Sequence, residues 1–168
     1  MTDPVSIRPE EVEPGAATGR TLLDLNNAHA LELSWLDADR FRHLVRDAFA
    51  AWRIGTADAL LLALEQSAGY DSPNFLWFRS RLTRFVYVDR VVVAAGARGQ
   101  GLASRLYRDL FEAAVEAGHD QVVCEVNSDP PNPGSDAFHA ALGFSEMGIG
   151  TLDGGRKTVR YLARSLTR

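Results

Sequence analysis

Two segments of the chain combine residue types and spacings that could do chemistry, and the clearer of them is Arg98–Ala103. Two glycines, Gly99 and Gly101, follow the arginine where a β-branched run gives way to a helical pattern. The first turn of a helix has N–H groups without intrahelical partners and a partial positive charge, and glycine lets an anion approach the backbone closely. The segment therefore predicts an anion site, for which phosphate is the common occupant. A strand-to-helix connection that merely needs flexibility is the alternative.

Two familiar phosphate loops do not fit this segment. A Walker A loop ends in Gly-Lys-Ser/Thr, whereas Gly101 is followed by Leu102 and Ala103. A dinucleotide-binding fingerprint needs a third glycine where Ser104 stands and an acidic residue at the end of the next strand, whereas Glu125 falls in mid-strand. The pattern therefore indicates a different class of phosphate-binding turn.

The second segment is Asn132–Phe144, which lies one predicted helix and one predicted strand beyond the glycine turn. It is similar to Asn-x-x-Ala-x-x-Leu/Phe-Tyr-x-x-x-Gly-Phe, and the glycine turn matches Gln/Arg-x-x-Gly-x-Gly/Ala at Arg98, Gly101 and Ala103. In this order the two segments resemble the GNAT superfamily of acyl-CoA N-acyltransferases. The resemblance is strong from Phe85 to Phe144, and within the family the block Asp129–Pro133 together with Phe138 and His139 looks like a bacterial branch.

The resemblance implies both a fold and an activity. The fold is α/β (α+β), with a mixed, mostly antiparallel central sheet that is flanked by helices and splayed between the strands at 85–95 and 121–126. Acetyl-CoA (coenzyme A) would bind in that splay, and its acetyl group would move by direct attack to a primary amine of a small molecule or peptide. The resemblance also leaves a homodimer open.

The resemblance places the cofactor along one strand, around the glycine turn and at the second segment. The residues are Val91, Val93, Arg98, Gly99, Gln100, Gly101, Leu102, Ala103, Ser104, Asn132 and Phe138. The backbone of the two valines would line the pantetheine arm, and the N–H groups from Arg98 to Ser104 would surround the diphosphate. Core packing is a compatible alternative for the valines, and an asparagine before a proline is also typical of a plain turn.

His139 stands where the family usually has a tyrosine that returns a proton to the leaving CoA thiolate. Histidine can hold a proton near neutral pH, so the resemblance makes His139 the candidate proton donor. The alternative is a helix residue at the edge of the cleft. The departure from tyrosine also keeps open a second function, a non-catalytic acyl-CoA sensor on the same fold.

An ammonium group must lose a proton before it can attack a thioester, and the family often uses a carboxylate on the strand before the glycine turn. Asp89 lies on that strand, and alternation places it on one face with Val91 and Val93. An ion pair with Arg90 or Arg160, or exposure at the start of the strand, is the alternative for Asp89. Glu125 on the neighbouring strand is a second candidate base.

The amine acceptor is expected between the early helices and the segment 69–78. The candidate residues are Asn26, Asn27, His29, Tyr70, Asn74 and Trp77. The aromatic members could equally be core residues. Cys124 lies in an apolar strand with no histidine placed near it, which favours an inert core thiol over a ping-pong nucleophile. A nucleotide-binding module that uses the same loop is the competing function from another class.

Periodicity and turn residues predict the elements that position these groups. Residues 1–19 lack periodicity and are interpreted as a loose N-terminal tail, and residues 20–168 as a single domain. Asp37 caps a helix that runs to about Ala50, a second helix starts at Gln100 or Gly101 and ends near Gly118, and Ser135 or Asp136 caps a short third one. Residues 69–78 are interpreted as a loop. The predicted strands are Thr21–Leu25, Ala51–Thr56, Ala59–Leu64, Phe85–Ala95, Gln121–Val126, Glu146–Leu152 and Thr158–Ala163, the last two as a hairpin.

Composition and charge exclude several classes of protein. The 168 residues are 46% hydrophobic and 24% charged, which is typical of a globular domain. A net charge of −4 with no long basic cluster argues against a nucleic-acid partner. No apolar run approaches the ~20 residues of a membrane span, and the N-terminus shows no secretory pattern. One cysteine and no recognisable metal-ligand spacing among four histidines predict a cytoplasmic protein without a metal.

Overall fold

The computed structural model describes residues 3–30 and 33–167, and within them it shows a mixed α/β fold of seven strands and five helices. The helices are α1 Ala17–Asn27, α2 Ala38–Asp47, α3 Pro73–Arg79, α4 Leu102–Glu116 and α5 Pro133–Ala141. The strands are β1 Val5–Ser6, β2 Ala50–Ile54, β3 Ala59–Glu65, β4 Phe85–Val93, β5 Gln121–Asp129, β6 Ser145–Leu152 and β7 Lys157–Ser165. The sheet order is β1-β2-β3-β4-β5-β7-β6. The predicted fold class, a mostly antiparallel sheet flanked by helices, is confirmed.

The contacts of the chain divide it into two compact units, each made of two stretches of sequence. The first unit combines the residues up to Ala68 with Val88–Leu110, and the second combines Gly69–Tyr87 with the residues from Phe111 onward. Both β4 and α4 therefore contribute residues to each unit. The interpretation of residues 20–168 as one domain stays a prediction.

The core of the first unit is built on β3. Its apolar run predicted a buried strand, and Leu60, Leu61 and Leu62 are indeed buried completely. β2 pairs with it in antiparallel register, with Ala50 opposite Ala63. The predicted cap of α2 is also confirmed, because Asp37 Oδ1 accepts a hydrogen bond from the backbone N–H of Arg40 at 2.8 Å.

The core of the second unit is aromatic. Phe75, Phe78, Phe85 and Tyr87 are all buried, and the ring of Phe75 lies 5.9 Å from that of Phe85 and 5.7 Å from that of Tyr87. Rings at these separations and tilts stabilise a core beyond the area that they bury. The aromatic core anchors α3, which carries two of its four rings.

The strands of the second unit combine parallel and antiparallel pairing. β4 and β5 pair in parallel, with Phe85 opposite Gln121 and Tyr87 opposite Val123. β7 pairs in antiparallel register with β5 and with β6, and the predicted hairpin turns at Asp153–Gly155. The splay of the strands at 85–95 and 121–126 stays a prediction.

The prediction of a loose tail over residues 1–19 was wrong for most of its described part. Val5 and Ser6 form β1, which pairs with Arg53 and Trp52 of β2, and Ile7 is buried. A strand of two residues is too short to show a period in the sequence. Its partners on β2 lie nearly fifty residues away, so no local pattern indicates the pairing.

Two further assignments of secondary structure were wrong. Thr21–Leu25 was predicted as a strand but lies within α1, whose buried residues Leu22, Leu25 and Asn26 have helical spacing. The segment 69–78 was predicted as a loop, but α3 begins within it at Pro73. Proline is well suited to the first turn of a helix, so this proline marked a helix start that its turn-like neighbours obscured.

Two kinds of feature are absent from residues 3–30 and 33–167. No helix there is long and apolar enough to cross a membrane. The same residues contain no group of three or more His, Cys, Asp and Glu side chains that could hold a metal ion.

Candidate active site

The glycine turn lies between β4 and α4 in the first unit. Gly99 has φ +80° and Gly101 has φ +74°, a backbone conformation that residues with a Cβ rarely adopt. A Cβ built on either residue would meet no atom within 4 Å, so there is room for a ligand beside the backbone. The N–H of Arg105 donates to Gly101 O at 3.0 Å, so the N–H groups of Leu102, Ala103 and Ser104 before it have no intrahelical acceptor. The turn combines free helix-terminal donors with room for an anion.

Arg98 and His29 lie in contact beside this turn. Arg98 Nη2 is 3.0 Å from His29 Nε2, and His29 Nδ1 is 3.0 Å from the carbonyl oxygen of Leu25 in α1. The sequence assigned Arg98 to the cofactor and His29 to the acceptor. The structure brings the two side chains together.

Asn26 and Asn27 anchor the segment that connects α1 to α2. Asn27 pairs with the backbone of Leu36 through two hydrogen bonds of 2.9 Å, and Asn26 Nδ2 donates to Ser34 O at 3.1 Å. Both amide groups, which were candidates for acceptor binding, are therefore engaged with the chain itself. Their acceptor role stays a prediction.

Arg90 completes this anchor, although sequence reasoning gave it only the role of an ion-pair partner. Its side chain is 3% exposed, and its guanidinium donates to Asn26 Oδ1 at 2.8 Å and to Ser34 O and Oγ at 3.0 Å. An arginine in the middle of a strand of valines was the available signal, because a buried guanidinium requires several acceptors.

Asp89, the first candidate base, forms an ion pair with Arg90. Arg90 Nε lies 2.8 Å from Asp89 Oδ2, and the Asp89 side chain is only 4% exposed. The ion pair that was weighed as the alternative to catalysis is therefore present. Burial within this ion pair limits the access of an amine to the carboxylate.

Glu125, the second candidate base, is at the centre of a hydrogen-bond network in the second unit. Tyr87 Oη donates to Glu125 Oε2 at 2.8 Å, and Asn74 Nδ2 donates to Glu125 Oε1 at 3.0 Å. Tyr161 Oη donates to Asn74 Oδ1 at 2.9 Å, which extends the network to β7. Tyr161 lies directly opposite Glu125 in the register of β5 and β7. Sequence reasoning named Asn74 and Glu125 separately and missed both tyrosines.

An aromatic stack lies beside this network. The ring of Trp77, an acceptor candidate, is 4.0 Å from that of Tyr161 at an interplanar angle of 17°, and the guanidinium carbon of Arg81 lies 3.9 Å from the Trp77 ring centroid. Burial first and the negative charge of Glu125 second raise the pKa of the Tyr161 phenol above its usual value, against an opposite effect of Arg81. Tyr161 therefore keeps its proton at neutral pH and acts as a hydrogen-bond donor.

A model of the acetyltransferase (GNAT) family matches residues 31–144, a range that contains both the glycine turn and Asn132–Phe144. The chain belongs to the GNAT acetyltransferase family. The family predicted from the two segments is thereby confirmed.

Two curated relatives of this GNAT protein come from rice, Oryza sativa subsp. japonica. The chain is 34% identical over 118 residues to glucosamine 6-phosphate N-acetyltransferase 1, and 41% identical over 63 residues to probable glucosamine 6-phosphate N-acetyltransferase 2. The alignments cover 70% and 38% of this chain, and 61% and 35% of the rice proteins. The chain thus spans less than two thirds of the length of these relatives.

A solved structure shares the fold of the whole GNAT chain. The ribosomal-protein-S18-alanine N-acetyltransferase from Escherichia coli aligns with a TM-score of 0.71 over 100% of this chain and 96% of that chain. The identity is 15%, so this likeness shows the fold alone.

His139 lies on α5 of the GNAT fold, where its ring is 6% exposed and packs edge-on against Phe138 and Phe144. His139 Nδ1 is 2.8 Å from the carbonyl oxygen of Ser135. A carbonyl can only accept, so Nδ1 carries the proton and the neutral ring has a lone pair at Nε2. Burial lowers the pKa of His139 below its usual value of about 6.5, although the bond to Ser135 and the charge of Asp136 oppose the change. A proton at Nε2 is therefore bound more weakly than in free histidine.

The remaining predicted site residues have structural contacts as well. Asn132 caps α5 by accepting from Ser135 N at 3.3 Å, so the cap is three residues earlier than Ser135, and that prediction was wrong. Tyr70 packs against Phe75 with ring centroids 5.7 Å apart. Val91 and Val93 are half-buried and alternate with a buried Val92, as the predicted strand face requires. Their contacts with ligands stay predictions.

Proposed function

We propose that the protein transfers the acetyl group of acetyl-CoA to a primary amine by direct attack of the amine on the thioester. The observation that carries the proposal is the glycine turn, which combines two positive-φ glycines and a helix N-terminus within the matched family range. A bond forms between the amine nitrogen and the acetyl carbon, and the bond from that carbon to sulfur breaks. The amine must lose one proton, and the CoA thiolate must gain one.

The glycine turn fits the diphosphate of acetyl-CoA. The N–H groups of Leu102, Ala103 and Ser104 and the guanidinium of Arg98 would bind its oxygens, and the backbone of Val91 and Val93 would bind the pantetheine arm. Bound acetyl-CoA supplies an activated acetyl thioester. The contribution of the chain is to hold the cofactor, orient the amine and handle the two protons.

We favour Glu125 over Asp89 as the group that takes a proton from the amine. The donors that bind Glu125 within the network, Tyr87 and Asn74, are neutral, whereas Asp89 is paired with a guanidinium. The side chain of Asp89 is only 4% exposed within its ion pair, which leaves an amine little access to this carboxylate. The neighbouring Trp77–Tyr161 stack gives an apolar wall against which an acceptor would be positioned.

His139 remains the candidate for returning a proton to the thiolate. Since Nδ1 is bound to Ser135 O, that proton must come from Nε2 of the doubly protonated ring. The lowered pKa of His139 makes this form a stronger acid than the imidazolium of free histidine, which suits the protonation of a leaving group but reduces its population at neutral pH.

A small amino compound is the class of acceptor that we propose, and glucosamine 6-phosphate is the first compound to test. The support is the name of the rice relative that is 34% identical over 118 residues. A peptide amine stays a second class. A homodimer and a cytoplasmic location also stay predictions.

The experiment is an assay of free thiol released from acetyl-CoA, run with glucosamine 6-phosphate, amino acids, polyamines and short peptides. It is combined with calorimetric titration of acetyl-CoA, CoA, ATP and NAD. Amine-dependent thiol release together with CoA binding supports the proposal. CoA binding with no release across the panel would indicate the sensor, and binding of ATP or NAD alone would indicate the nucleotide-binding module.

A further inference from the structure

The two hydrogen bonds of His29 assign a different role to each nitrogen of its ring. Leu25 O can only accept, so His29 Nδ1, 3.0 Å away, carries a hydrogen. A guanidinium can only donate, so His29 Nε2, 3.0 Å from Arg98 Nη2, is the acceptor. In this arrangement Nδ1 donates to Leu25 and Nε2 accepts from Arg98, so each ring nitrogen is bound to one partner.

The first of these bonds orients the ring. Leu25 is a buried residue of the last turn of α1, and its carbonyl is among those that have no intrahelical donor. His29 supplies that donor from beyond the helix end. The bond to Leu25 thus fixes the orientation of the His29 ring, and in this orientation Nε2 faces Arg98.

The second bond restrains Arg98. This side chain is exposed, so without a partner its several torsions would sample many rotamers, and a ligand would have to immobilise it on binding. A guanidinium has five N–H donors in a fixed plane, and His29 takes one of them. The others stay available for phosphate oxygens.

We propose that His29 is a positioning residue that holds Arg98 beside the glycine turn before the diphosphate binds. The inference rests on the proposed binding of acetyl-CoA at that turn. It assigns His29 to the cofactor, in place of the contact with the acceptor that was expected from the sequence. It predicts that His29 affects CoA affinity only through Arg98.

The test is calorimetric titration of CoA into the wild-type protein and five variants. Arg98→Gln removes the guanidinium, His29→Leu removes the acceptor, His29→Gln keeps an acceptor oxygen, and the fourth variant combines His29→Leu with Arg98→Gln. His43→Leu is the matched control, because His43 Nδ1 also bonds the carbonyl four residues earlier, at 2.8 Å from Asp39 O. Circular dichroism melting reports folding for each protein.

Preorganisation of one long side chain sets the expected size of the effect. His29→Leu should raise the Kd for CoA about three- to tenfold, whereas His29→Gln and His43→Leu should stay within about twofold of the wild type. In the Arg98→Gln background, His29→Leu should cause no further loss. If His29→Leu does not fold, His29→Lys replaces it, because an ammonium cannot accept a hydrogen bond and repels the guanidinium.

The opposite results overturn the inference. One such result is a wild-type Kd for CoA in His29→Leu. Another is a rise in Kd for His29→Gln as large as that for His29→Leu. A third is a rise in Kd caused by His29→Leu that is as large in the Arg98→Gln background as in the wild type. Wild-type CoA binding that His29 substitutions do not change would overturn the role of His29 and leave the proposed function intact. Failure of the wild-type protein to bind CoA would overturn both.

Discussion

Tyr87 of β4 and Glu125 of β5 are joined by a hydrogen bond from the phenol to both carboxylate oxygens, at 2.8 Å to Oε2 and 3.0 Å to Oε1. Tyr87 is the last residue of β4 that belongs to the second unit, and it pairs with Val123 of β5. The bond thus holds the carboxylate of Glu125 two residues beyond the partner of Tyr87 on β5. Asn74 holds the same carboxylate from α3.

Glu125→Gln is expected to lower kcat about 100-fold or more, because general-base catalysis contributes on the order of 10²–10⁴ and the amide cannot take the proton. Asp89→Asn should lower it far less if Asp89 serves only its ion pair with Arg90. Steady-state kinetics with an accepted amine measure both. A larger loss for Asp89→Asn than for Glu125→Gln would reverse the assignment.

Activity is expected to depend on pH through His139. Because burial lowers the pKa of His139, a proton-donor role predicts that kcat falls as pH rises through that lowered pKa, below about 6.5. His139→Phe should abolish this limb of the profile and reduce kcat with little change in the Kd for CoA. A pH profile of kcat for both proteins is the measurement. An unchanged rate in His139→Phe would remove this residue from catalysis.

The same lowered pKa has a consequence for stability. Well above pH 6.5 the His139 ring is neutral in the folded and in the unfolded protein, so its protonation does not reduce the free energy of unfolding. As pH falls through the unfolded pKa towards the folded one, the unfolded chain binds the proton more tightly and stability decreases. Urea unfolding between pH 5 and 8 should show a shallower decrease for His139→Phe than for the wild type. Parallel curves would show that another group causes the decrease.

Substitutions in the glycine turn test whether CoA binding depends on the positive-φ backbone of Gly99 and Gly101. Gly99→Ala and Gly101→Ala place a Cβ on residues with φ of +80° and +74°, at a cost of about 1–2 kcal/mol each, and they narrow the room for the diphosphate. Gly96→Ala is the matched control, since it lies in the same connection without positive φ and its Cβ would also meet nothing within 4 Å. CoA titration should show weaker binding for the first two variants alone. Equal affinities for all three would place the diphosphate elsewhere.

Two glycines of β6 make room for the Trp77–Tyr161 stack. A Cβ on Gly148 would lie 2.7 Å from Trp77 Cη2, and one on Gly150 would lie 2.7 Å from Tyr161 Cε2. Gly148→Ala should therefore displace the indole, lower stability by about 1–3 kcal/mol and change Trp fluorescence. Gly69→Ala, whose Cβ would meet no atom within 4 Å, is the control. A stable Gly148→Ala with unchanged fluorescence would contradict the packing described for this strand.

Arg90→Met should be among the most destabilising substitutions outside the apolar core. It removes a buried partner of Asp89 and the donors to Asn26 and Ser34, and breaking a buried ion pair typically costs about 3–5 kcal/mol. Arg160→Met is a useful comparison, because Arg160 has two acidic partners but is a third exposed, and about 0–1 kcal/mol is expected. The free energies of unfolding in urea compare the two. Equal losses would contradict the structural role of Arg90.

Local signals allowed much of the fold to be predicted. The uninterrupted apolar run of β3, the Asp37 cap and the glycine-rich hairpin turn each act within a few residues, and the structure confirms them. The wrong assignments have the opposite character. β1 depends on a pairing with Arg53 and Trp52, and Thr21–Leu25 was too short an apolar run to distinguish a strand from a helix.

The sequence by itself determined the family and the location of the glycine turn, because a glycine turn at a helix start is encoded in consecutive residues. Only the tertiary structure decided what each polar side chain contacts. It paired Asp89 with Arg90, joined His29 to Arg98 across 69 positions, and gathered Tyr87, Asn74 and Tyr161 around Glu125. The physical reason is the separation in sequence of the interacting residues. Backbone conformation in a turn follows from neighbours in the chain, whereas hydrogen bonds between side chains depend on which distant strands and helices pack together.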